Sequence, residues 1–227
     1  MSVIVLVHAL GSSARAWQPQ VAALAERHKV LAPDLPGHGE APGPFGLEPA
    51  AFAVAELIAA EPEPVHLVGI SVGATVAMLA ALDDPARIAS LTLSGGTAHA
   101  PGVALQRNLM RLMPTGMIAA LMSGMYAGGR PDRKSQAKAD LRTAGKRAFL
   151  TGLTELAALD LRPRLADLKT PALILCGTKD KENIAPAREL AETLPNAHLD
   201  LIPEAGHIWN LQFPDLFTAK LTEFIDR

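Results

Sequence analysis

Six short apolar runs constrain the fold of this chain more than any other feature. They fall at residues 3–7, 29–32, 65–68, 88–94, 172–176 and 197–202. Several are almost uniformly apolar rather than alternating, the pattern of strands covered on both faces of a parallel sheet. Helical patterns lie between them at 14–27, 48–60, 72–82, 186–194 and 214–225. Parallel neighbours cannot be joined by a tight hairpin, so each strand requires a crossover, and crossovers are right-handed. The alternation therefore predicts an α/β protein built on a doubly wound, mostly parallel sheet of about six strands. Ligands of such sheets sit beyond the carboxyl ends of the strands. A chain of 227 residues with 49% hydrophobic content can bury one sizeable core of this kind.

One region breaks the rhythm. Residues 97–168 contain no convincing strand. The expectation is a helical insertion, a lid lying over a core made of residues 1–96 and 169–227. Five of the seven methionines fall within it: Met110, Met113, Met117, Met122 and Met125. Methionine is flexible and polarisable, so these could line an adaptable apolar pocket. Their near-helical spacing suits ordinary helix core equally well. The segment also holds Arg130, Arg133, Lys134, Lys138, Arg142, Lys146 and Arg147, partly offset by Asp132 and Asp140. A solvated helix face accounts for these better than a cationic rim for an acidic substrate or a carrier protein.

The stretch with the most chemistry is Gly69-Ile70-Ser71-Val72-Gly73, set between an apolar run and an Ala-rich helical segment. Strand, Gly-x-Ser-x-Gly and helix in that order form a nucleophile elbow, a sharp turn that presents the serine at its tip. A serine hydroxyl is a poor nucleophile at neutral pH. It requires a base, an acid that orients the base, and donors for a developing oxyanion. The candidate base is His207, after the last strand; His8 and His38, in other strand-end loops, are competitors that could shape the site. The candidate acid is Asp180, after the next-to-last strand, with Glu182 as runner-up. The candidate oxyanion donors are the backbone N–H groups of Val72, at the start of the helix, and of Leu10, in the loop after the first strand. Ile208 and Trp209, beside the histidine, are candidate pocket residues with the methionines.

Composition narrows the remaining classes. The formal net charge of −2 gives no reason to expect attraction to nucleic acid or to an anionic membrane. The single cysteine, Cys176, rules out an intrachain disulfide and suits a reducing cytoplasm. The N-terminal apolar run is short and has no basic residue before it, so it reads as a strand and not a signal peptide. No apolar stretch is long enough to span a membrane. The seven histidines are dispersed, with no metal-ligand spacing. No metal or cofactor is expected.

These segments resemble the α/β-hydrolase fold family, in particular its small esterases and enol-lactonases. The resemblance spans almost the whole chain. It is carried by His8 to Ser13 with Trp17, by Ala32 to Gly39, by Gly69 to Gly73, by Gly177 to Asp180, and by Gly206-His207. It implies a catalytic triad of Ser71, Asp180 and His207 in the family's chain order, and a mainly structural role for the Asp34 to Gly39 loop. It also implies a small-molecule carboxylic ester or lactone as substrate, cleaved through an acyl-enzyme. A lyase or C–C hydrolase with the same triad, or a ligand receptor built on the same fold, are alternatives. Two features depart from the family. The first two family strands look absent, and Ala9 stands where a glycine is usual.

Overall fold

All six apolar runs pair into one sheet in a computed structural model of the chain, which describes residues 1–100 and 102–227. The strands are β1 (Val3–Val7), β2 (Lys29–Leu31), β3 (Val65–Ile70), β4 (Ile88–Ser94), β5 (Ala172–Gly177) and β6 (Ala197–Ile202). Their spatial order is β2-β1-β3-β4-β5-β6, and every pairing is parallel. The order reverses between β1 and β3. Such a switch point opens a crevice at the carboxyl edge, because the connections leave on opposite sides.

Burial explains the composition of the strands. Every residue of β1 and β5 is buried, as are five of the six in β3. The edge strands β2 and β6 are only partly covered, and they carry the polar residues Lys29, His198 and Asp200. Helices α1 (Gln18–Leu24), α2 (Leu47–Ala59), α3 (Val72–Asp83), α4 (Val103–Leu112), α5 (Thr115–Tyr126), α6 (Lys134–Ala158), α7 (Arg162–Leu165), α8 (Lys181–Thr193), α9 (Trp209–Gln212) and α10 (Pro214–Ile225) fill the connections. Helix α3 is the central one: ten of its residues, Val72 to Ala81, are buried, so it has no polar stripe. Trp17, Trp209 and Phe217 form a second centre, with ring centroids 5.5 and 4.6 Å apart from Phe217.

Helix α8 starts five residues before the expected position. The expected segment begins at Pro186, a residue whose missing N–H costs nothing only at a helix start. Pro186 instead lies inside the helix. The start is set upstream, where Asp180 flanks the first turn and its carbonyl accepts the Asn183 N–H at 3.0 Å. Between β4 and β5 the chain runs through α4, α5 and α6, and both α4 and α5 pack on α6. Helix α6 is interrupted at Gly145, whose φ of 70° lies outside the helical region. Among the described residues no helix is long and apolar enough to cross a membrane.

Candidate active site

Parallel register brings the ends of four strands to one level. Val7 at the end of β1 lies beside Gly69 of β3, Ser94 of β4 beside Ile70 of β3, and Leu175 of β5 beside Ser94. The loops leaving these strands therefore meet above the same edge. Ser71 occupies the turn from β3 to α3 at φ 57° and ψ −125°, one of two non-glycine residues with positive φ among the described residues. Such a conformation costs on the order of 1–3 kcal/mol and persists only where the surroundings enforce it. The flanking glycines are part of that enforcement. A Cβ on Gly69 would overlap the Gly73 carbonyl oxygen, and a Cβ on Gly73 would overlap the carbonyl oxygens of Val7 and His8. The Ser71 N–H donates to the Ser94 carbonyl at 2.8 Å, tying the turn to β4.

Three side chains expected to act together lie in one line of hydrogen bonds. Ser71 Oγ is 2.9 Å from His207 Nε2, and His207 Nδ1 is 2.6 Å from Asp180 Oδ2. With the proton on Nδ1, the ring donates to Asp180 and accepts from the serine hydroxyl. His207 and Asp180 are largely shielded, with 15% and 10% of their side chains exposed, so their hydrogen bond is not opened to bulk water. Glu182, the alternative acid, is exposed on α8.

Asn183 was not foreseen. Its side-chain amide donates to Asp180 Oδ1 at 2.8 Å, occupying the carboxylate oxygen that His207 leaves free. It also lies 3.2 Å from His207 Nδ1. That nitrogen already points its proton at Asp180, so the amide's hydrogen bond is to the carboxylate. No motif marks Asn183 in the sequence; only its place one helical turn after Asp180 could have suggested it.

The loop after β1 is fixed from three sides. Gly11 N–H donates to His38 Nε2 at 2.8 Å, and Leu35 N–H donates to His8 Nε2 at 3.0 Å. Each ring donates its Nδ1 proton to a carbonyl, of Pro36 and Ala9 respectively. Both histidines are thus neutral, and burial pushes their pKa values down: His8 to about 4, by burial first and by neighbouring His38 second. Tyr126, at the end of α5, donates its buried hydroxyl to the Leu10 carbonyl at 2.6 Å. Burial raises the pKa of that phenol, so it stays a donor. Among the described residues neither the Leu10 nor the Val72 N–H donates to another protein group. The left-handed residue of this loop is Gly11 at φ 77°, and Ala9 is not among the positive-φ residues, so the alanine carries no strain there.

The expected pocket residues scatter. Trp209 is fully buried, packed at a tilt against Phe217, and its indole N–H donates to Ser94 Oγ at 2.9 Å. Ile208 is also in the core. Both therefore hold the His207 loop in place. Met110 is buried, Met113 and Met122 pack partly against the core, and Met117 and Met125 are exposed. None of the five lines the cleft of about 270 Å3 that lies beside the β1 loop between Ser12, Arg15, Tyr126, Gln136 and Asp140. Neither Ser71 nor His207 lines that cleft. Its floor is built by Asp140, which accepts from Ser13 Oγ at 2.9 Å and from Gln136 Nε2 at 2.8 Å. Among the described residues no group of three or more His, Cys, Asp or Glu is placed to hold a metal ion.

A parallel sheet with a strained serine turn, followed by an acid and a histidine on later strand ends, defines the class of α/β hydrolases. The chain belongs to the alpha/beta hydrolase family, whose model matches residues 4–220. It is 31% identical over 244 residues to the pimeloyl-[acyl-carrier protein] methyl ester esterase of Methylococcus capsulatus, covering 98% of this chain and 94% of the relative. It is 29% identical over 244 residues to a protein of Azorhizobium caulinodans carrying the name carbamate hydrolase RutD, covering 97% and 90%. Among solved structures, the enol-lactonase of Burkholderia xenovorans LB400 superposes with a TM-score of 0.88 at 26% identity, covering 100% of this chain and 92% of that one. The protein is thus a hydrolase of the α/β fold, with an esterase and a lactonase among its relatives.

Proposed function

We propose that this hydrolase cleaves a carboxylic ester or lactone through an acyl-enzyme on Ser71. The observation that carries the reading is the hydrogen-bonded line Ser71 Oγ–His207 Nε2 and His207 Nδ1–Asp180 Oδ2, at 2.9 and 2.6 Å, on a strained turn at the carboxyl edge of the sheet. His207 takes the serine proton as Oγ attacks the carbonyl carbon. Asp180, oriented by Asn183, keeps the ring in its Nδ1–H tautomer and stabilises the imidazolium that forms. The N–H groups of Val72 and Leu10 hold the oxyanion, and the start of α3 adds its dipole. His207 then gives its proton to the leaving alkoxide oxygen and activates water to release the acid. No step requires a metal or a cofactor.

The names of the relatives support an ester or lactone carbonyl. A carbamate carbonyl would use the same groups but is the poorer electrophile. The helices of residues 97–168 form a lid on the core of residues 1–96 and 169–227 in this reading, with Tyr126 as its anchor to the oxyanion loop. The test is hydrolysis of p-nitrophenyl esters from acetate to decanoate, with a lactone and a carbamate in parallel, by wild type and Ser71→Ala. The expected result is ester or lactone turnover that falls by roughly ten-thousand-fold or more in the variant while its circular dichroism is unchanged. Equal turnover by both proteins would overturn the assignment.

A further inference from the structure

Helices α4 and α5 turn their apolar residues to water. On α4, Leu105, Leu109 and Leu112 are 78%, 63% and 84% exposed. Their spacing of four and three residues puts them on one ridge. The face opposite holds Val103, Arg107 and the buried Met110. On α5, Met117, Leu121 and Met125 repeat every four residues and are 49%, 72% and 43% exposed. Helix α5 contains no Lys, Arg, Asp or Glu at all. A helix that is apolar all round belongs against another apolar phase and not at a water-facing surface. Six of the nine large hydrophobic residues exposed among the described residues lie on these two consecutive helices. Soluble proteins seldom group exposed apolar side chains in this way without a partner.

The charge around the ridges says what that partner is. Residues 103–147 contain nine Lys or Arg against two Asp, a net +7. The whole chain is −2, so the remaining residues sum to −9. The overall charge hides this division. Among the described residues only Arg130 of these nine cations forms an ion pair. The exposed Arg111 lies on α4 itself, and Lys146 of α6 donates to the Arg111 carbonyl, which places its ammonium at the end of the leucine ridge. A second copy of the chain would bring like charge against like charge. A protein partner is also a poor match, because protein hot spots favour Trp, Tyr and Arg over Leu, and neither ridge carries an aromatic residue. Exposed Leu and Met flanked by unpaired cations is the composition of a helix seated in a lipid interface.

We infer that α4 and α5 dock the protein, peripherally and reversibly, on an anionic phospholipid surface, with Leu105, Leu109, Leu112, Met117 and Leu121 in the acyl boundary and Arg111 and Lys146 at the headgroups. This inference is independent of the chemistry assigned to Ser71. The test is sedimentation of the full chain with vesicles of phosphatidylcholine alone or mixed with phosphatidylglycerol. Partitioning should be at least roughly tenfold stronger on the anionic vesicles, because each cation near the surface adds to the attraction. High salt should weaken it, and the double variant Leu109→Asp/Leu121→Asp should lose it. The circular dichroism spectrum and thermal unfolding of that variant should match wild type, which shows that the variant is folded. No partitioning by wild type would overturn the inference. So would equal partitioning by the double variant, or light scattering that shows a dimer which the variant converts to a monomer.

Discussion

The strand-end loops and the inserted pair α4–α5 obey opposite rules. In the loops nearly every polar group has an assigned partner: Gly11 with His38, Leu35 with His8, Ser71 with Ser94, Asp180 with His207 and Asn183. The outward ridges of α4 and α5 are exposed, and their side chains are apolar. Geometry in the first region is over-determined, which lets a strained serine persist. In the second, side chains are free of the fold, so their chemistry answers to whatever lies outside it. Tyr126 joins the two, as the last residue of α5 with its hydroxyl on the Leu10 carbonyl.

The contrast predicts steeply unequal costs. Gly73→Ala should be the worst of the structural changes, since the added methyl meets the Val7 and His8 carbonyl oxygens and backbone cannot step aside. A loss on the order of 4 kcal/mol or outright failure to fold is expected in urea denaturation. A loss under about 1 kcal/mol would show the turn to be more pliable than the contacts imply.

Acid should attack the same region next. The folded chain disfavours protonation of His8 and His38, so below pH 6.5 the unfolded chain binds more protons. The stability held in these rings is therefore whole above pH 6.5 and is lost as pH falls towards about 4. For His8 alone this is on the order of 3 kcal/mol. A His8→Gln variant with an unchanged acid limb of the stability curve would contradict it.

Smaller again is Tyr126→Phe, which leaves the Leu10 carbonyl without its buried donor. About 1–2 kcal/mol of stability should go, together with part of kcat as the loop loosens. The least effect belongs to Leu121→Asp, expected within about 0.5 kcal/mol because the side chain is 72% exposed. A large loss there would mean that the ridge is packed, which would erase the comparison.

The sheet was legible because burial on both faces writes itself as continuous apolar runs, and all six strands lie where those runs predict. The meeting of Ser71, Asp180 and His207 in space was legible for the same reason: each follows a strand, and parallel strands end at one edge. The helices between β4 and β5 resisted reading. Helix α5 has no polar face to set its rotation, so its methionines could be assigned to pocket or core with equal force. Trp209 reads as a pocket residue through its neighbour His207, whereas a fully buried tryptophan at the start of α9, with a buried hydroxyl partner in Ser94, is a wedge. Asn183 and Tyr126 act through contacts that no local pattern encodes, the second across 116 positions of sequence.

The account rests on Ser71 as the nucleophile, and covalent capture tests that most directly. Wild type and Ser71→Ala would be treated with a fluorophosphonate, digested, and mapped by mass spectrometry. One adduct per chain on the peptide containing Ser71, absent from the variant, is the predicted result. An unlabelled Ser71, or equal labelling of the variant at another residue, would contradict it.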